Sequence, residues 1–154
     1  MRYQWDKLNK QQAGAYAEYF VKMEFTMYGF QVYSTEVDDR GIDFVCRHQE
    51  GPFLEIQVKS VRDAKYVFMI KDKFKLSKHL WLALVFLKNG TEPKLYLIPS
   101  EVWNAPNKIF VSRDYEGKKS NPEWGLNLSH KNLPELEKYE FNKIIEGTLK
   151  KKIV

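Results

Sequence analysis

Cysteine is nearly absent from this chain. The single thiol, Cys46, excludes a disulfide framework and a cysteine-rich zinc site. It falls in an apolar run, which reads as a small buried hydrophobe rather than a nucleophile. A catalytic thiol would want a histidine partner, and His48, His79 and His130 have neither a motif around them nor metal-ligand spacing. Long apolar runs are missing too: nothing approaches the roughly eighteen consecutive residues that span a bilayer. No apolar signal segment stands behind the opening MRYQWDKLNK. The expectation is a cytoplasmic location and no membrane partner. Internal repeats, low-complexity segments and a clear boundary are likewise lacking, so the 154 residues read as one domain.

What is present suits a folded core. Apolar residues make up 44% of the chain and aromatics 15%, which argues against wholesale disorder. The net charge of +5 is unevenly spread. Between Lys59 and Lys78 there are seven Lys or Arg against two acids, Asp63 and Asp72. Such a run suits a polyanion such as nucleic acid, and it equally suits a plain solvated face. Lys71, Lys73 and Lys75 are the best candidates for phosphate contacts outside a catalytic site.

Residues 10–28 read as a helix, with Ala13, Tyr16, Phe20, Met23 and Met27 at three- and four-residue steps and Gly29 as its stop. A second stripe, Gly14, Glu18, Val21 and Phe25, frames Glu18 with non-polar neighbours. A carboxylate so placed must be paired, protonated or bound to metal, and a salt bridge is the plain alternative to a ligand role. Strands are expected over 30–34, 42–48, 53–60, 66–70, 80–87 and 95–98, with a polar turn over 36–40. Pro99 to Glu101 opens a short helix through Trp103. Residues 105–125 read as a long irregular excursion. Pro134 starts a last helix bearing Leu136, Tyr139, Phe141, Ile144 and Ile145, and Lys150–Lys152 form a frayed basic tail. Trp81 and Trp103 read as core, whereas Trp124 lies in a more open turn.

The chemistry concentrates in one hairpin. A turn centred near residue 51 sets Arg47 opposite Glu55, Val45 opposite Gln57 and Asp43 opposite Lys59. Period two then puts Asp43, Gln57 and Lys59 on one face of adjacent strands, with opposed side chains about 5 Å apart. A Mg²⁺ ion wants hard oxygen ligands and keeps several waters. Asp43, Gln57 and the Val58 carbonyl can supply oxygens, and Glu18 can hold the ion or its waters from the helix. Lys59 is placed to orient water and stabilise negative charge. In that register Glu55 pairs with Arg47 and stands about 13 Å from the level of Asp43, at 3.3 Å per residue, so it ranks below Gln57.

The segments Gly41-Ile42-Asp43 and Glu55-Ile56-Gln57-Val58-Lys59-Ser60 resemble the PD-(D/E)XK nuclease superfamily. They are most similar to its branch with a Gly-x-Asp turn and a Gln-x-Lys strand, a layout shared by archaeal Holliday-junction resolvases and restriction-endonuclease-like domains. The resemblance covers residues 10 to 100 and leaves 101–154 as a C-terminal extension. It implies an α/β (α+β) core, a mixed sheet flanked by helices, DNA cleavage with Mg²⁺ (Mn²⁺ as substitute) and a homodimer. It also assigns Asp43 as the central metal-binding acid, Lys59 as the catalytic lysine and Glu18 as the accessory acid of the first helix. Two departures stand out: Asp43 follows Gly-Ile rather than Pro, and Gln57 replaces an acid. A metal-dependent DNA endonuclease is the leading reading, in which alanine at Asp43 or Lys59 abolishes cleavage and spares the fold. A non-catalytic nucleic-acid-binding or regulatory domain, or an unrelated α/β domain with a structural salt bridge, are the alternatives.

Overall fold

The computed structural model describes residues 1–37 and 40–150, the side chain of Lys150 excepted. Of the turn expected over 36–40, Asp38 and Asp39 lie outside these residues, as do Lys151 and Lys152 of the expected tail. The first helix, α1 (Lys10–Met27), starts at a capping box in which Asn9 and Gln12 satisfy each other's backbone N–H groups. It ends at Gly29, whose φ of 87° needs no Cβ. Its buried stripe is Ala13, Ala17, Val21 and Phe25. Met23 and Met27, part of the stripe that marks the helix in sequence, are 58% and 80% exposed. The helix carries two apolar stripes, and the sheet takes the one containing Phe25.

Five strands build the main sheet: β1 (Gln31–Ser34), β2 (Phe44–Arg47), β3 (Leu54–Val61), β5 (Leu80–Phe86) and β6 (Lys94–Pro99), in the order β1-β2-β3-β5-β6. All neighbours are antiparallel except β3 and β5, which are parallel, so the sheet is mixed. Leu82, Ala83, Leu84 and Val85 are fully buried in succession, as an interior strand covered on both faces requires. On one face α1 packs with Phe44, Ile56, Ala83 and Leu97, joined by Phe141 and Ile145 of the last helix, α2 (Phe141–Lys150).

The other face is covered by a second sheet, together with the 3-10 stretches that bear Trp103 and Leu136. Here β4 (Tyr66–Ile70) pairs with β8 (Glu123–Asn127), and β8 pairs with β7 (Phe110–Arg113), all antiparallel. Val67, Met69, Phe110 and Leu126 pack from this sheet against Leu82, Leu84 and Ile98. Residues 105–125 therefore hold a strand and the start of another, where the sequence reads as irregular. Both strands are short and set among Pro, Gly and Asn; β8 takes its pairing from β4 and β7 from β8, not from local pattern. Trp103, fully buried, locks the arrangement by donating its indole N–H to the Gly125 carbonyl at 2.8 Å. The last helix is also divided. Pro134 lies in a 3-10 stretch, Leu133–Tyr139, and α2 begins afresh at Phe141. Among the described residues no helix is long and apolar enough to cross a membrane.

Candidate active site

The β2–β3 hairpin turns two residues' worth of register earlier than its Gly51-Pro52 pair indicates. Gly51 donates to the His48 carbonyl, and Gln49 takes the left-handed conformation at φ 50°. The pairs are Phe44 with Ile56, Val45 with Glu55 and Cys46 with Leu54. One step further, Asp43 comes level with Gln57 instead of Lys59. The expected Glu55–Arg47 pair is absent. Arg47 instead lies over the Phe53 ring, 4.5 Å from its centroid. A two-residue slip keeps every side chain on its own face, so Gln57 and Lys59 still share one side of β3. It also moves Glu55 from about 13 Å off the level of Asp43 to about 7 Å, one two-residue step along β3.

Asp43 is fixed by its own backbone and side chain. Its N–H donates to the Ile56 carbonyl at 2.9 Å, and its carbonyl accepts from the Thr35 hydroxyl at 3.2 Å. Its Oδ2 accepts the Val58 N–H at 2.6 Å, taking over the ladder where β2 has not yet begun. Backbone groups along a strand alternate sides. Glu55 turns its N–H to the β5 side, onto the His79 carbonyl, so Ile56 and Val58 turn theirs to the β2 side. The Val58 carbonyl therefore points across the same gap as the Asp43 carboxylate.

Gln57 supplies the test of a metal here. Its Oε1 is buried and accepts no hydrogen bond. A buried acceptor left unsatisfied costs about 1–3 kcal/mol, so an amide oxygen placed level with a carboxylate is a position that a cation would relieve. Carboxylate, amide and backbone carbonyl are hard oxygen donors of the kind Mg²⁺ and Mn²⁺ take, with water completing the shell. The residues fit the ion. Among the described residues no three His, Cys, Asp or Glu side chains converge on one point, so such a site relies on the amide and the backbone.

Glu18 is placed differently from the expectation. It is 37% exposed rather than enclosed, and its carboxylate lies 3.0 Å from Lys22 Nζ one turn along α1. Lys22 in turn bonds the Ser34 hydroxyl at 3.1 Å, on the strand position opposite Phe44. The carboxylate is thus ion-paired within its own helix, the plain alternative to a ligand role.

The basic run also divides. Lys71 donates to Ser112 at 2.7 Å and Asp114 at 2.6 Å, and lies 4.0 Å from the centre of the Trp124 ring. Trp124 is half-buried beneath it and bonds the Phe74 carbonyl, so it is less open than its turn-like sequence suggests. Arg62 is spent on the Trp5 and Leu8 carbonyls. Lys73 and Lys75 are exposed and line a pocket of about 450 Å³ walled by Ile42 and Leu80. Arg40, Asp72 and Glu55 line it too. None of these five charged side chains forms an ion pair among the described residues. Gly41 brings the walls together: a Cβ there would stand 2.8 Å from the Lys73 carbonyl oxygen, and its φ is 75°. Sequence reasoning overlooked Arg40, whose one signal is a cation directly before the Gly-Ile-Asp motif.

A five-stranded mixed sheet with parallel inner strands and a helix across one face is a restriction-endonuclease-like fold. Two solved structures share it. A Holliday junction resolvase from the archaeal hyperthermophile Archaeoglobus fulgidus aligns at a TM-score of 0.56 and 13% identity, over 86% of this chain and 95% of its own. A bacterial homing endonuclease aligns at a TM-score of 0.54 and 17% identity, over 95% of this chain and 99% of its own. No protein-family model and no curated protein matches the sequence. The likeness is one of fold, and the fold is restriction-endonuclease-like, as the sequence resemblance implies.

Proposed function

We propose that this chain is a divalent-metal-dependent DNA endonuclease that hydrolyses phosphodiester bonds, in repair, recombination or defence. The observation that carries the reading is the buried, unsatisfied Gln57 Oε1 one strand across from Asp43. Asp43, Gln57 and the Val58 carbonyl hold Mg²⁺, with Mn²⁺ as a substitute. When bound, the ion places positive charge beside the scissile phosphate and acidifies water. Lys59, two residues along β3 on the same face, orients the water and stabilises charge as it develops. Lys73 and Lys75, with Arg40, seat the phosphates of the strand. Glu18 acts at one remove, by holding Lys22 beside Ser34. A cytoplasmic location and a homodimer belong to the same reading.

The test is a cleavage panel over branched, duplex and single-stranded DNA and RNA, with Mg²⁺, Mn²⁺ or EDTA, beside Asp43→Asn and Lys59→Ala. Cleavage abolished by EDTA and by either variant is the expected result. Cleavage that survives in clean Asp43→Asn protein overturns it. The neutrality of Gln57 favours one other reading, a non-catalytic DNA-binding domain. That reading predicts salt-sensitive binding with no turnover on any substrate.

A further inference from the structure

Among the described residues the proposed cation site is short of negative charge. Asp43 brings one unit and Gln57 none, while Lys59 adds a positive charge on the same face. Among the described residues these charges cancel, so a divalent ion there would face no net negative charge. Of the described carboxylates near the site, Glu18 is committed to Lys22 at 3.0 Å, and Asp72 is exposed on the turn after β4. Glu55 is neither. It sits on β3, on the face of Gln57 and one two-residue step before it, with Val45 directly opposite. Asp43 and Glu55 are thereby diagonal neighbours, a relation that stands about 7–8 Å across antiparallel strands and is within reach of long side chains. The backbone of Glu55 is held on both sides, by the β2 pairing and by its N–H bond to the His79 carbonyl at 2.8 Å.

The surroundings of Glu55 sharpen the point. It is half-buried in a pocket with Arg40, Lys73 and Lys75, and with Asp72 as the other acid, yet it pairs with none of the three cations among the described residues. A half-buried carboxylate without a partner carries a desolvation cost that a bound cation would offset. The three basic groups remain available to phosphate.

We propose that Glu55 is the second charged ligand of the divalent cation held by Asp43 and Gln57, a carboxylate displaced by one step along β3 from its place in the family motif. This rests on the metal-site reading above. The test is a titration of the full chain with Mn²⁺, without nucleic acid, followed by electron paramagnetic resonance of the free ion. Wild type, Asp43→Asn, Glu55→Gln and the double variant Glu55→Gln with Gln57→Glu are compared, with thermal melts to verify folding. Glu55→Gln should weaken Mn²⁺ binding by about 10- to 100-fold, the scale of losing a group that supports a metal. Gln57→Glu in that background should restore it, because either position delivers the charge to one ion. If Glu55→Gln binds Mn²⁺ as tightly as wild type, the proposal is overturned and the Asp43 site stands. Weakening that Gln57→Glu does not repair also overturns it, since the two positions then serve different ends. A wild-type chain that binds no Mn²⁺ removes the metal-site reading itself.

Discussion

The Asp43 carboxylate accepts the Val58 N–H at 2.6 Å, so its loss should be felt by the fold as well as by the proposed chemistry. The expectation that alanine here spares folding is therefore revised. Asp43→Ala leaves a partly buried N–H with no acceptor and removes a charge-assisted bond, a loss of about 2 kcal/mol. In a chain of this size each kcal/mol shifts Tm by about 2–4 °C, which gives a fall of about 4–8 °C. Asp43→Asn keeps an oxygen for Val58 and loses only the charge assistance, so its Tm should fall by less than half as much. Both variants should lack cleavage activity. Melts are run in EDTA, so that lost metal stabilisation does not enter, and cleavage is assayed in Mg²⁺ on the best substrate of the panel. Equal melting of Asp43→Ala and wild type would show that the carboxylate does not complete the ladder. Cleavage by Asp43→Asn at the wild-type rate would remove it from the chemistry.

Three further outcomes follow from the geometry. Gly41→Ala must hold a left-handed residue against the Lys73 carbonyl, so urea denaturation should show a loss of about 1–3 kcal/mol; unchanged stability would mean the turn is not docked there. Lys71→Ala should destabilise the chain with little effect on DNA affinity. Lys73→Ala with Lys75→Ala should do the reverse, lowering the slope of log affinity against log salt by about one per lysine, read by fluorescence anisotropy in EDTA. Burial pushes the Cys46 thiol from 9.0 up to about 12. The unfolded chain therefore releases this proton first. The stability tied to the neutral thiol is complete below pH 9 and is lost as pH rises toward 12, by about 1.4 kcal/mol per unit. Burial and the bond from Tyr66 to Glu123 raise the Tyr66 hydroxyl in the same sense. Denaturation at pH 8–10 should show the decline, shallower in Cys46→Ala, and Cys46 should react with thiol reagents only on unfolding.

Much of the site was legible because it depends on alternation. Asp43, Gln57 and Lys59 keep their strand faces whether the hairpin turns at residue 50 or 51 by this count, since the slip is two residues. What alternation does not fix is the level of each residue along the strand. Only the left-handed Gln49 sets that, and its side chain gives no warning. Glu55 was misplaced for this reason alone. The first helix was readable at both ends, through Asn9 and Gln12 and then Gly29, but its two apolar stripes left open which one faced the sheet. Lys71 and Lys73 look alike in sequence. They part only in space, where β7 offers Ser112 and the next residues Asp114 to one and nothing to the other. The strands β7 and β8 escaped because β8 answers to β4 and β7 to β8, not to their own composition.

That dependence has a temporal consequence. During synthesis the hairpin bearing Asp43 and Lys59 leaves the ribosome complete, with both of its strands made. β4 emerges next and leads straight into the turn that bears Lys73, but its partner β8 is still untranslated. At about 5–20 residues per second, residues 123–127 follow roughly 3–10 s later. Until then Val67 and Met69 have no second sheet to bury them, and the lysine wall has no scaffold. A growing chain therefore completes the hairpin bearing Asp43 and Lys59 before it has the second sheet that backs the turn of Lys73.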